Sequence, residues 1–183
     1  LAAQIGGFPF VLAIATLEPR KNLPHLVSAF GLLAAEHADL RLVIAGRDGP
    51  DRPGVDAAIE RLAPAARERV VLAGHVDDAG RRALLDAASV LAYPSIYEGF
   101  GFPLLEAMSA GLPVVAARAG SIPEVAGDAA LLVEPTDDRG LAAALDRVLT
   151  EDATRVELIA RGRDRLGAFS WSETARALAA CYR

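Results

Sequence analysis

The sequence predicts a doubly wound, Rossmann-like α/β domain, a parallel sheet covered by helices on both faces. Three observations carry this. Short runs of Val, Ile, Leu and Ala alternate with amphipathic helical stretches; the runs lack apolar–polar alternation; and small-residue or glycine-rich segments follow them. Unbroken apolar runs belong to strands buried on both faces, and interleaved helices make those strands parallel. Ligands of such folds bind at the carboxyl ends of the strands.

The elements follow in order. Phe10 to Ala15 reads as a buried strand, and Leu23 to Glu36 as a helix with Leu26, Val27, Phe30 and Leu33 on one face. Leu40 to Ala45 is the next strand, closed by Gly46. Gly54 to Leu62 reads as a helix, Ala65 to Arg69 as a helical turn and Val70 to Ala73 as a strand. Asp77 to Ala87 is a helix with Asp77 or Asp78 at its N-cap. Val90 to Tyr93 is a strand, Pro103 to Ala110 a helix and Pro113 to Ala117 a strand. Ile122 to Val125 is a helical turn and Ala130 to Val133 the last strand. Asp137 to Thr150, Asp152 to Leu166 and Ser172 to Tyr182 complete the chain as helices. No internal repeat, low-complexity tract or domain boundary interrupts this order.

Composition narrows the function. At 183 residues the chain is one domain, long enough to bury a sizeable core. Its net charge is −5 with scattered acids, which argues against nucleic acid as a partner, because counterion-driven binding needs a basic face. The single cysteine, Cys181, excludes an internal disulfide and fits a reducing compartment. No apolar run approaches the ~20 residues of a transmembrane helix, and no signal peptide opens the chain. Leu1 to Gly7 reads as a linker, residues 8–183 as the domain, and the whole as a piece of something longer.

The richest segment is Tyr97-Glu98-Gly99-Phe100-Gly101-Phe102-Pro103-Leu104-Leu105-Glu106. It sets a glycine-rich turn between two carboxylates, with proline where a helix begins. Amides of Gly99, Phe100, Gly101 and Phe102 then gather at the positive end of a helix, an anion-binding arrangement. Glu98 lies just outside this cradle and Glu106 about one turn inside the helix. A carboxylate accepting from two neighbouring hydroxyls is how an acid grips ribose in dinucleotide folds. The segment also reads as an ordinary strand-to-helix connection with Phe100 and Phe102 as core plugs.

Other loops at the same end of the sheet add candidates. Arg20 and Lys21 after the first strand read either as a cation pair for a diphosphate or as a solvated basic pair, with Glu18 a partner for Arg20. His75 reads as a general base, a ligand contact or a histidine satisfied by local backbone; with no Cys, Asp or Glu constellation around it, a metal site is not expected. Arg47-Asp48-Gly49-Pro50 has the composition of a surface turn. Ser121 with Glu124 three residues on forms a capping box. Trp171 reads as a packing anchor, and Cys181 has no partner for nucleophilic work. Gly-x-Ser-x-Gly, HExxH and P-loop motifs are missing, which sets aside serine hydrolases, zinc proteases and P-loop NTPases.

Taken together, Thr16 to Asn22, Leu42 to Gly46, Leu72 to Val76, Ala92 to Met108, Gly111 to Ala116, Gly120 to Val125 and Phe169 to Trp171 resemble the group-1 glycosyltransferases. These are retaining, nucleotide-sugar-dependent enzymes of the two-domain GT-B architecture. The resemblance runs over nearly the whole chain, and its strongest mark is the Glu-x7-Glu spacing of Glu98 and Glu106.

The resemblance implies roles. Glu98 approaches hydroxyls of the transferred sugar, Glu106 holds the ribose, and Arg20 and Lys21 stabilise the departing diphosphate together with amides of Phe100, Gly101 and Phe102. Backbone around Val76 reads the base, and Gly46 belongs to the donor site. It also implies a catalyst without bound metal or other cofactor and a GDP- or UDP-linked hexose as donor, with GDP-mannose the first guess. The acceptor would be a saccharide or lipid-linked saccharide, held by an N-terminal domain that this chain does not contain. The setting would be cytoplasmic, with the full-length protein peripheral at the inner membrane face. One departure stands out: many relatives carry Gly-Arg after the first strand, where this chain has Ala15-Thr16. A self-sufficient nucleotide-binding module and a nucleotide-sugar epimerase or hydrolase are the alternative readings.

Overall fold

The computed structural model describes residues 5–182. Six parallel strands form one sheet: β1 (Phe10–Ile14), β2 (Arg41–Ala45), β3 (Val70–Gly74), β4 (Val90–Tyr93), β5 (Val114–Ala117) and β6 (Ala130–Val133). Their order is β3-β2-β1-β4-β5-β6, so the chain winds outward from β1 to one edge, returns to the centre at β4, and winds to the other. The expected doubly wound fold is what forms.

Alternate residues of each strand feed opposite cores. Val11, Ala13, Leu42, Ile44, Val90 and Ala92 face one layer. There they meet α1 (Leu23–Glu36), α2 (Arg52–Glu60) and α7 (Asp138–Thr150). Phe10, Leu12, Ile14, Val43, Leu91 and Tyr93 face the other, packing on α4 (Asp78–Ala87), α5 (Phe102–Ser109) and α6 (Ile122–Ala126). The short α3 (Pro64–Arg67) precedes β3, α8 (Asp152–Leu166) runs from α7 to lie against α5, and α9 (Trp171–Cys181) ends the described chain. Burial on both faces is why the strands carry almost no polar residue.

Element ends shift by a residue or two from the sequence reading, the largest change being α2, which starts at Arg52 rather than Gly54, with Pro53 in its first turn. Asp77, not Asp78, caps α4, accepting from the Gly80 amide at 2.8 Å. Asp137 caps α7 in the same way through the Gly140 amide, also at 2.8 Å. Cys181 is exposed. The linker reading of Leu1 to Gly7 falls largely on residues 1–4, outside the described residues, as does the Trp171 side chain.

Candidate functional site

β1 and β4 are neighbours at the centre of the sheet, yet β1 leads to α1 on one face while β4 leads to α5 on the other. The two loops must part, and the crevice between them is where open α/β sheets hold ligands.

After β1 the chain makes a single 3-10 turn, Pro19–Lys21, and then Asn22 in the left-handed region at φ 53°. The Asn22 amide group donates to the carbonyls of Pro94 at 3.3 Å and Pro135 at 2.9 Å, tying this loop to those after β4 and β6. The Ile96 amide donates to the Arg20 carbonyl at 2.8 Å. Laced this way, the loops after β1 and β4 set their charged side chains together. Lys21 Nζ lies 2.5 Å from Glu98 Oε1, and an Arg20 guanidinium nitrogen 3.0 Å from Glu98 Oε2. The other side of Arg20 is held by Glu18 at 2.8 Å.

Glu98 is only 8% exposed and Lys21 only 9%. Burial pushes the Glu98 carboxyl up, but hydrogen bonds from Lys21, Ser95 and Tyr93 and the Lys21 charge outweigh it, leaving the group below the usual carboxylate range. Burial, and then the Glu98 charge, push the Tyr93 phenol far up, so it stays neutral. The Lys21 ammonium also sits over the Tyr93 ring, 5.5 Å from its centre.

The Glu98 loop is braced from beneath. Ser121 Oγ lies 2.9 Å from the Glu98 carbonyl and 3.0 Å from that of Phe100, and it makes no cap bond to α6. The capping box expected of Ser121 and Glu124 is therefore not formed: the Ser121 backbone is already helical, at φ −76° and ψ −9°, rather than extended as an N-cap requires, and the hydroxyl donates to the neighbouring loop instead. Gly120, at φ 54°, allows the close approach: a Cβ would stand 3.1 Å from both the amide and the carbonyl of Glu98.

Gly101, at φ 107°, turns the chain into α5, whose first two residues are Phe102 and Pro103. Proline thus occupies the second helical position rather than the first, where its missing N–H is equally harmless. The leading amides of a helix have no intrahelical acceptor, and in α5 these begin at Phe102. Phe100 and Phe102 are not core plugs: both are exposed, Phe102 at 59%. Their rings lie 4.9 Å apart, and Phe100 meets Phe169 edge-on at 5.8 Å.

Glu106 is gripped by Arg81 of α4, whose Nε lies 2.6 Å from its carboxylate. Both line a cavity of about 360 Å³ with Asp78, Leu85 and Phe102. Arg81 also borders a second cavity, about 250 Å³, at the ends of β1, β2 and β3, with Thr16, Gly46, Arg47, His75 and Val76. Gly46 has a purely steric reason to be glycine: a Cβ would fall 1.8 Å from the Ala15 carbonyl oxygen. His75 is exposed and Val76 half-buried. Arg47, read as part of a surface turn, is exposed but belongs to this cavity wall.

The predicted residues thus gather in two clusters, Glu98 with Arg20 and Lys21, and, across two cavities that share Asp78 and Arg81, Glu106 on one side and Gly46 and Val76 on the other; the turn that carries Phe100, Gly101 and Phe102 joins Glu98 to Glu106. Sequence reasoning missed Arg81, Asn22 and the bracing role of Ser121. Only Asn22 leaves a local signal, a residue tolerant of the left-handed region just before a helix with an early proline. Among the described residues no group of three or more His, Cys, Asp or Glu side chains is placed to hold a metal.

A sequence model of the family described as "Glycosyl transferases group 1" matches residues 3–165, which include both clusters. The chain belongs to this family. The O-antigen chain mannosyltransferase B of Escherichia coli is 37% identical over 169 residues, covering 92% of this chain and 44% of that protein. Sucrose-phosphate synthase from Thermosynechococcus elongatus superposes with a TM-score of 0.80 at 31% identity, covering all of this chain and 47% of that one. The crystallised C-terminal domain of a glycosyl transferase group 1 family protein from Francisella tularensis shares the fold, with a TM-score of 0.78 at 24% identity, covering 90% of this chain and 89% of that one. The chain spans less than half the length of the curated relatives it matches. The sheet and its helices make the single Rossmann-like domain of the GT-B fold that these two structures share.

Proposed function

We propose that this chain is the donor-binding half of a retaining glycosyltransferase that moves a hexose from a nucleoside-diphosphate sugar to a hydroxyl acceptor without a metal. The observation that carries the reading is the Glu98 carboxylate, buried at the switch point and held by Lys21 and Arg20. A carboxylate has about four acceptor positions. Lys21 and Arg20 hold one oxygen each and Ser95 and Tyr93 fill the remaining positions, so a sugar hydroxyl binds here by taking the place of one of the neutral donors, as Glu106 accepts from hydroxyls of the ribose.

When the bond from C1 of the sugar to the diphosphate oxygen breaks, its electron pair leaves with the diphosphate, the acceptor hydroxyl oxygen bonds to C1, and its proton passes to the departing diphosphate. Charge that grows there meets Lys21, Arg20 and the opening amides of α5, donors already fixed in place. The base lies toward Val76, in the cavity at the ends of β1 to β3. Gly46, where a Cβ would strike the Ala15 carbonyl, lets the ends of β1 and β2 approach at its wall. The acceptor, a saccharide or lipid-linked saccharide, is held by a further domain of the whole protein. The full-length protein works in the cytoplasm or at the inner membrane face; no described helix is long and apolar enough to cross a membrane.

Relatives named mannosyltransferases make a mannosyl donor the first to test. Calorimetry at low salt with GDP, UDP and ADP should give one selective isotherm, lost in Glu106→Ala and weakened in Lys21→Ala. An affinity unchanged by Glu106→Ala would remove the ribose role. Full-length enzyme should retain activity in EDTA and form a product of unchanged anomeric configuration by NMR; loss of activity or an inverted product would sink the metal-free, retaining mechanism.

A further inference from the structure

We propose that Arg81 is a positioning residue for Glu106, holding one carboxylate oxygen so that the other is left free for a ribose diol. This rests on the donor-site reading above and adds a residue to it. Glu106 lies in the first turns of α5, on a side chain with three rotatable bonds, and about two-fifths of it is exposed. Left alone, such a carboxylate samples several rotamers, and a ligand must select one of them.

Arg81 removes that freedom. Both Nε and a terminal guanidinium nitrogen contact the same oxygen, Glu106 Oε2, the former at 2.6 Å. The grip comes from a different helix, α4, and so fixes the carboxylate relative to the end of β3 as well as to α5. Because both Arg81 contacts fall on Oε2, the two lone pairs of Oε1 remain for two adjacent hydroxyls. Arg81 is also one of the two residues, with Asp78, common to the two cavities that meet here, one holding Glu106 and the other bordered by Gly46 and Val76. A ribose on Glu106 with its base toward Val76 would pass directly by the guanidinium. Asp78, which lines both cavities, is not within ion-pair distance of Arg81, so the arginine is committed to Glu106.

The test compares each of GDP, UDP and ADP with its 2′,3′-dideoxy counterpart by calorimetry, on wild type, Arg81→Ala, Arg81→Lys, Glu106→Gln and the double variant Arg81→Ala/Glu106→Gln. A hydrogen bond to a charged group is worth roughly tenfold in affinity. Arg81→Ala should therefore weaken the ribonucleotide that binds wild type about tenfold while leaving its dideoxy counterpart unchanged. Arg81→Lys, which keeps the charge and loses the fork, should fall between. The double variant should bind no worse than Glu106→Gln alone. Equal losses for the ribose and dideoxy ligands, or additive losses in the double variant, would overturn the positioning role and leave the donor site standing. If wild type binds none of the three nucleotides, the donor-site reading falls and this role falls with it.

Discussion

Lys21 Nζ lies 2.5 Å from Glu98 Oε1, joining residues 77 positions apart across the junction of β1 and β4. Both side chains are buried, so the pair is set by the packing of two loops and not by solvent. Removing one partner of such a pair strands the other.

Lys21→Met should therefore cost about 3 kcal/mol, the low end for breaking a buried ion pair, because Arg20 still faces Glu98. The double variant Lys21→Met/Glu98→Gln should recover most of that loss. Urea unfolding of the four proteins provides the cycle; additive losses would show that the pair is not coupled.

Stability should depend on pH through the same carboxylate. Its ionisation in the folded protein lies below the usual 4.5, so the unfolded chain takes up the proton first as acid is added. The contribution of Glu98 is full above about pH 4.5 and is lost as pH falls through the lower folded value. Urea midpoints of wild type should drop below pH 4.5, and the gap between wild type and Glu98→Gln should narrow there. A gap that stays constant from pH 7 to pH 3 would contradict the assignment.

Asn22 combines a left-handed backbone with two side-chain bonds to loop carbonyls. Asn22→Gly keeps the backbone at ease and loses the bonds, about 1 kcal/mol. Asn22→Ala loses the bonds and adds the strain of a Cβ at positive φ, about 2 to 3 kcal/mol in all. The order Asn, Gly, Ala in thermal or urea stability is the check, since a residue valued only for its bonds would give Gly and Ala equal losses.

Ser121→Ala should lower stability by about 1 kcal/mol and nucleotide affinity several-fold, because it frees the carbonyls of Glu98 and Phe100. Glu124→Ala, in the exposed partner that a capping box would use, should change stability by less than about 0.5 kcal/mol. The reverse order of effects would restore the cap.

The strands and most helices were legible because each is encoded by its own neighbours: Leu26, Val27, Phe30 and Leu33 mark the buried stripe of α1, and Val114 to Ala117 can only be a strand buried on both faces. Glu98 and Glu106 were legible because their spacing lies within one segment. What could not be read is what crosses the chain. Nothing near Arg81 announces Glu106, 25 residues on, and nothing near Ser121 announces the loop 23 residues before it. Ser121 misled because a local pattern, serine followed three residues later by glutamate, has a sufficient local meaning that a tertiary partner overrode. The exposed Phe100 and Phe102 misled for a similar reason: aromatic character predicts burial only where the backbone turns inward.

The return from β3 to β4 has a consequence for how the chain acquires its site. Residues 10–74 form one half of the sheet, and β4 to β6 add the other against β1. Lys21 and Glu98 belong to different halves, so each half can gain helix and strand while the crevice between them is still unmade. Contacts between segments far apart in sequence form slowly, after local structure. During refolding, the far-ultraviolet dichroism of the helices should thus recover ahead of nucleotide binding, and the interval between the two signals is the time the halves need to dock.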